Sequence, residues 1–446
     1  MLQCWQKLHL FGTQTIGTQT IVGSTMVLGL LCVPWCAAEP PTINQERVVA
    51  AGIRKLQSRH LTLYTDLPES PAIQEILEIF DLAVSQWTTY FDLEPQQTAD
   101  WHATGRLIGE KKRFSQAGLL NDRLPNFKNG YNIDDHFWLY EQDSDYYRRH
   151  LTLHEGTHAF MQRYLGSTGP PWYMEGTAEL LATHQWKNGK LTLKYFPADK
   201  RETPLWGRIR IIKDEVKAGR PMRLIDIMKY DPTAHARNEA YGWCWAAAVF
   251  FDTHPQYQAI FRQLKDQVKT TKNQFNRNFY ETLRTQWRDI REEWQLFVIN
   301  VEYGYDIPRS AIERTPAKSL TGSKTVAIRA DRSWQSTGIR VDSAAMYQLR
   351  ATGQIEVAQE SKPWICEPGG VTIRYHDKMP LGRLVAGVSD DQVNLRGTTP
   401  LAKPISIGLE RQLSFPKSGT LYLRVNESTA GLHDNRGNFQ VTIERL

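Results

Sequence analysis

Between His154 and Glu179 the chain reads HEGTHAFMQRYLGSTGPPWYMEGTAE, and this stretch leaves few folds open. His154 and His158 stand four residues apart, so on one helix they stack on the same face, one turn apart. Two imidazoles so placed reach a single divalent metal, and Glu155 between them can hold a water beside it. Leu151, Phe160 and Met161 give the same run an apolar side to pack inward. Gly166, Gly169, Pro170 and Pro171 then break the helix and reverse the chain. A second helical run from Trp172 brings Glu175 and Glu179, one turn apart, to where an antiparallel partner faces the first helix.

His154-Glu155-Gly-Thr-His158 followed by Trp172-x-x-Glu175-Gly-x-Ala-Glu179 resembles the gluzincin group of zinc metallopeptidases. The resemblance implies one catalytic zinc held by His154, His158 and Glu175, with Glu155 as general base acting on a protein or peptide substrate. It places Glu179 against a ligand histidine, where such a partner fixes the tautomer and raises ligand basicity. The gap from His158 to Glu175 is a little shorter than in thermolysin-like enzymes, which keeps Glu179 open as the alternative third ligand. The implied fold is α+β and zincin-like, with a strand-rich N-terminal lobe, a helical C-terminal lobe and the metal in the cleft between them. Its edge strand, which would pair with an extended substrate, falls on residues 136–141. The oxyanion of the tetrahedral intermediate needs a further donor. Relatives supply it from the half of the domain that here contains Tyr241, in Asn238-Glu-Ala-Tyr241-Gly-Trp-Cys-Trp245, with His235 as the alternative. His150, His184 and His254 read as structural.

The rest of the first 315 residues fits that layout. His60-Leu-Thr-Leu-Tyr-Thr alternates as a half-buried strand does, and Ala72–Phe91 carries helical periodicity. Residues 121–132 read as a polar loop. After 189–196, a hairpin, helices are expected at 209–216, 223–228, 241–251, 257–265 and 279–301, with Trp287 and Trp294 as core anchors. With 446 residues, 41% of them hydrophobic, and 14 tryptophans, the chain has room for two or three well-packed domains. Its 54 basic residues nearly balance 48 acidic ones and form no basic run, which argues against a nucleic-acid partner.

Residues 1–38 read as a signal peptide: Lys7, an apolar stretch from Ile21 to Val33, then Cys36-Ala37-Ala38 ahead of Glu39-Pro40-Pro41. Export is the expectation, to the periplasm, cell surface or medium; an uncleaved segment would instead leave the chain membrane-anchored. Cleavage would remove Cys4, Cys32 and Cys36, leaving Cys244 and Cys366, too few for a disulfide framework.

Beyond residue 315 helical periodicity gives way to short alternating segments at 326–329, 347–351, 370–374, 406–410, 420–425 and 439–443, the spacing of an all-β sandwich. The domain boundaries expected are therefore 1–38, 39–315 and 316–446. Leu421-Tyr-Leu-Arg-Val-Asn426-Glu427-Ser and Leu432-His-Asp434-Asn435-Arg-Gly437 crowd oxygen ligands of the kind calcium takes. With Trp334-x-x-Thr-Gly338-Ile and Pro380-Leu-Gly-Arg-Leu384, this region resembles the calcium-dependent galactophilic lectins. The resemblance implies Ca2+ on Glu427, Asp434 and Asn435 and a carbohydrate ligand. Three departures stand out: a Glu replaces the family's usual Asp, the family's ligand Thr has no clear counterpart near Gly431, and its sugar-contacting His and Gln have none around Cys366–Gly370.

Three functions stay open: an exported zinc peptidase whose β-sandwich targets it to substrate or glycan; a non-proteolytic, metal-containing envelope or glycan-binding protein; or an esterase or other hydrolase using the same zinc water. The intact Glu155 favours the first, since a purely structural metal site has no use for a base there.

Overall fold

The alternating run after His60 forms strand β2 (Leu61–Thr65), antiparallel to β1 (Arg54–Gln57) and parallel to β3 (Ala103–Ile108). Parallel neighbours need a crossover, and helix α1 (Pro71–Tyr90) supplies it. Pro71 occupies its first turn, where an absent N–H costs nothing. Ile73, Ile76, Leu77, Phe80, Val84 and Trp87 recur at helical spacing on its buried face. Next come β4 (Gly130–Ile133) and β5 (His136–Tyr140), giving the sheet order β1-β2-β3-β5-β4. The computed structural model describes residues 43–120, 124–390 and 397–446, with backbone alone at 235 and 236. The segment 1–38 read as a signal peptide lies outside them.

The sheet corrects one expectation. Residues 136–141 are not the edge: β5 is enclosed by β3, parallel, and by β4, antiparallel, so the edge strand is Gly130–Ile133. The cause is a two-residue turn at Asp134-Asp135. Ile133 pairs with His136, Asp134 takes φ 49°, and Asn132 Nδ2 donates to the carbonyls of Asp134 (2.8 Å) and His136 (3.1 Å).

Helix α2 (Asp145–Leu165) starts at Ser144, whose hydroxyl accepts from Tyr147 N at 3.3 Å, and ends at Gly166 in the left-handed conformation. Every residue from His150 to Met161 is buried, so its polar side chains face protein rather than water. After Pro171, α3 (Pro171–Ala182) returns against it, then come α4 (Arg208–Lys217) and α5 (Asn238–Thr253). The glycine in each motif has a packing reason. A Cβ on Gly156 would lie 2.6 Å from Phe80 and 2.8 Å from Trp87; one on Gly176 would lie 2.7 Å from Cys244 O. Both motif helices are thus pressed against neighbours, and each large buried ring there contributes about 1.5–3 kcal/mol.

The helix expected over 279–301 is two helices. Lys272–Leu283 and Trp287–Asn300 are separated by a 3₁₀ turn at Arg284–Gln286, across which Tyr280 and Trp287 meet edge to face at 5.0 Å. The turn lets Phe279 and Leu283 pack in one direction and Ile290, Trp294 and Phe297 in another.

After residue 315 the chain is almost wholly strand. One sheet orders Ile405–Ser406, Leu384–Ser389, Gly419–Val425, Gln335–Val341 and Lys318–Ser319. A second orders Pro363–Cys366, Ile355–Gln359, Arg436–Arg445, Tyr347–Thr352 and Glu410–Leu413, with Ser323–Arg329 also paired to Arg436–Arg445. The single strand expected at 406–410 is divided between the sheets by Gly408, at φ 75°. One apolar cluster draws on both sheets, with Ile339, Leu384 and Leu421 from the first and Tyr347, Phe439 and Val441 from the second.

The molecule is mixed α+β, and the chain from Asn44 to Leu446 forms one compact unit. The junction near residue 315 is closely packed. Leu296 and Ile312 share a cluster with Trp334, Val385, Leu401 and Tyr422. Fully buried Glu292 accepts from Arg288 (2.7 Å), Arg314 (3.1 Å), Ser389 Oγ (2.6 Å) and Thr399 Oγ1 (2.7 Å). Among the described residues no helix is long and apolar enough to cross a membrane. Cys244 and Cys366 are both buried and free.

Candidate metal centre

Helices α2 and α3 bring His154, His158 and Glu175 together. His154 Nε2 and His158 Nε2 lie 3.1 Å apart, and Glu175 Oε2 is 3.2 Å from the first and 3.7 Å from the second. Zinc bonds of about 2.0–2.2 Å at tetrahedral angles put ligand atoms roughly 3.3–3.5 Å apart, so this triangle has the right size for one ion. These three groups could hold a metal. The charges agree. Glu155, Glu175 and Glu179 are buried within this site, and buried Arg208 pairs with Glu179. A divalent cation there would offset buried carboxylate charge.

Glu179 faces the opposite side of the His154 ring, its Oε1 3.4 Å from Nδ1. It is already engaged. Arg208 grips it with two hydrogen bonds, Nε to Oε2 at 2.9 Å and Nη2 to Oε1 at 2.8 Å, and His150 Nε2 approaches Oε2 at 3.3 Å. Burial opposes a charge on either acid but is outweighed. His154 and His158 hold the Glu175 carboxyl down at about 2, while Arg208 and His150 hold Glu179 well below the ordinary range. His150, read from sequence as structural, therefore belongs to this support; its spacing, one further turn before His154, was the available signal. Arg208 had none, being 29 residues from its partner in the first turn of another helix.

Glu155 opens onto a cavity of about 270 Å³ whose walls include Phe127, Lys128, Tyr131, Tyr147 and Tyr241. Burial raises its pKa, against the pull of His154 and His158. Edge strand β4 lies over it: a Cβ on Gly130 would stand 2.4 Å from Glu155 Oε1 and 3.0 Å from its Cδ. Gly130→Ala is therefore expected to displace the carboxylate and lower turnover by about 10²-fold. Metal content and melting temperature should be retained. Turnover within about twofold of wild type would show that Glu155 is not held by this strand.

Tyr241 stands in the first turn of α5 with its ring centroid 6.0 Å from that of His154 and the Arg208 guanidinium 5.5 Å from its face. Burial, then Glu175, Glu155 and Glu179, push its pKa upward, so the phenol keeps its proton and is a hydrogen-bond donor at neutral pH. The side chain of the alternative, His235, lies outside the described residues.

His184, just after α3, is structural. Its Nδ1 donates to Ala182 O at 2.8 Å, Arg149 Nε donates to its Nε2 at 3.3 Å, and the ring stacks on Tyr146 at 4.6 Å. Burial, with Arg149 and His150, lowers its pKa from 6.5 to about 3. Between those values the unfolded chain binds a proton that the folded one refuses, so stability falls as pH drops through the window and is unaffected above it. Wild type should lose roughly 2–3 kcal/mol more than His184→Gln between pH 7 and 4.5 in urea unfolding. Parallel losses would refute the assignment.

In the C-terminal part, Glu427 and Asn435 are buried and Asp434 is half-buried. Asn435 Nδ2 donates to Ala330 O at 3.1 Å, Asp434 Oδ2 accepts from Gln359 N at 3.0 Å, and Glu427 Oε1 accepts from Ser428 N at 2.8 Å. That leaves Glu427 Oε2 and Asn435 Oδ1 buried without a partner, as is the Thr429 hydroxyl. Burial pushes the Glu427 carboxyl up to about 7, with nearby Asp434 adding to it. Oxygen donors short of partners suit a hard cation.

No family model matches the chain, and no curated protein matches it. Among solved structures, the N-terminal domain of EclA, a PllA-like lectin, is 21% identical over 29% of this chain and 98% of its own, with a TM-score of 0.22. An aminopeptidase N family protein from Idiomarina loihiensis is 12% identical over 88% of this chain and 68% of its own, with a TM-score of 0.28. Superpositions this loose transfer neither fold nor function.

Proposed function

We propose that the protein is a zinc-dependent peptidase, exported, with residues 39–315 as a zincin-like catalytic domain and 316–446 as a β-sandwich that binds calcium and targets it to substrate or glycan. The observation that carries this is the convergence of His154, His158 and Glu175 on one point, with Glu155 beside them at the wall of an open cavity. His154, His158 and Glu175 would hold the zinc. Bound there, zinc supplies a water of near-neutral pKa and polarises the scissile carbonyl. Glu155, its basicity raised by burial, takes the water's proton and passes it to the leaving amine. Tyr241, a phenol that stays protonated, donates to the oxyanion. Glu179, clamped by Arg208 and His150, keeps the His154 ring turned so that Nε2 faces Glu175 and His158. In the C-terminal part Glu427, Asp434 and Asn435 would take Ca2+.

The test is metal analysis of the purified protein together with cleavage of an unstructured protein substrate. One zinc per chain is expected, with cleavage lost on chelation and restored by a single equivalent of zinc. Stoichiometric zinc without cleavage of any peptide in a broad library would sink the peptidase reading and favour a binding role.

A further inference from the structure

The loop carrying the candidate calcium ligands does not end in solvent. Its middle is fastened to the helical part of the molecule. Ser428 Oγ donates to Glu302 Oε1, and Asp306 N donates to Thr429 O at 3.4 Å. Gly304 lies against Ala430 so closely that an added Cβ would stand 3.3 Å from the alanine methyl, while Gly304 N donates to Pro197 O at 2.8 Å. Segment 302–306 follows Trp287–Asn300 directly, and Tyr305 anchors it, its ring 5.2 Å from Phe297 and 6.4 Å from Phe196.

The orphaned oxygens occupy the same ten residues. Asn426 Oδ1, Glu427 Oε2, Thr429 Oγ1 and Asn435 Oδ1 all lack partners, on residues 6% exposed or less. Thr429 belongs to both sets: its hydroxyl is unpartnered and its carbonyl is bonded to Asp306. We propose that calcium in the 426–435 loop acts as a clasp, ordering residues 428–430 so that they lock onto 302–306 and join the strand-rich C-terminal part to the helical part. This rests on the calcium reading above and goes beyond it: residues 428–430, within the candidate ion-binding loop, are held by the chain's own Glu302, Gly304 and Asp306.

Hydrogen exchange on the zinc-loaded full chain, with and without 5 mM CaCl2 (a concentration chosen to saturate an extracellular-type site of about 10⁻⁴–10⁻³ M), tests it. Calcium is expected to slow exchange at both 426–435 and 302–306 and to raise the melting temperature by roughly 3 °C or more. In Ser428→Ala the slowing at 426–435 should persist while that at 302–306 weakens; in Glu427→Gln both should vanish. Protection of 426–435 alone in the wild type would overturn the clasp and leave calcium binding standing. No protection at either segment would overturn both.

Discussion

Replacing Glu155 by glutamine is expected to lower the turnover number for peptide cleavage by about 10³-fold or more, within the range usual for loss of a positioned acid–base group. Glutamine keeps the size and most of the shape of the side chain, so it fits beneath Gly130. It carries no charge and cannot take up a proton at neutral pH, and it leaves the three proposed ligands in place. None of the three close ligand-atom distances involves Glu155, so bound zinc should stay at one per chain and the melting temperature should not fall. Turnover, metal content and thermal unfolding measured on the same preparation separate the outcomes. Loss of all three would report a misfolded site; turnover retained to within tenfold would mean that the water is deprotonated by another group. An intermediate case is informative too: Gly130→Ala leaves the base in place but pushes it, so its defect should be smaller than that of Glu155→Gln.

How much of this was readable in advance follows from which interactions are local. His154 and His158 were readable because a helix of 3.6 residues per turn fixes what lies four residues on. Glu175 and Glu179 were readable because two prolines and two glycines force a reversal within reach of the first helix. The glycines inside the motifs were legible as residues but not as contacts, since Phe80, Trp87 and Cys244 meet them from other helices. Arg208 was invisible for the same reason: a bidentate pair formed across 29 residues leaves no periodic mark. The edge strand was missed because Gly130-Tyr-Asn-Ile133 is four residues long and made of turn-forming types as much as strand formers. Ile355–Gln359, by contrast, alternates buried and half-buried positions, the same legible pattern its neighbouring strands carry.

Which acid touches the metal is settled by exchanging each for its amide. Glu175→Gln is expected to weaken zinc binding by several orders of magnitude, so that protein purified without added zinc is metal-free and inactive. Glu179→Gln should weaken it only about 10–100-fold, the usual effect of losing a partner behind a ligand histidine. The difference follows from what each carboxylate already holds. Glu175 Oε2 has the two Nε2 atoms near it and no hydrogen-bond partner, so its charge is free for a cation. Both Glu179 oxygens receive Arg208, and only the Nδ1 side of His154 is within reach. Recruiting Glu179 as a ligand would mean turning His154 over and leaving the buried guanidinium unpaired, a cost of about 3–5 kcal/mol. Glu179→Gln should instead expose its role through stability, because Arg208 then loses a charged partner in a site from which water is excluded. Competitive zinc titration with a chromophoric chelator, alongside melting curves, reads both effects. If Glu179→Gln rather than Glu175→Gln yields the metal-free protein, the ligand assignment is reversed, and the Arg208 pair must open whenever zinc enters.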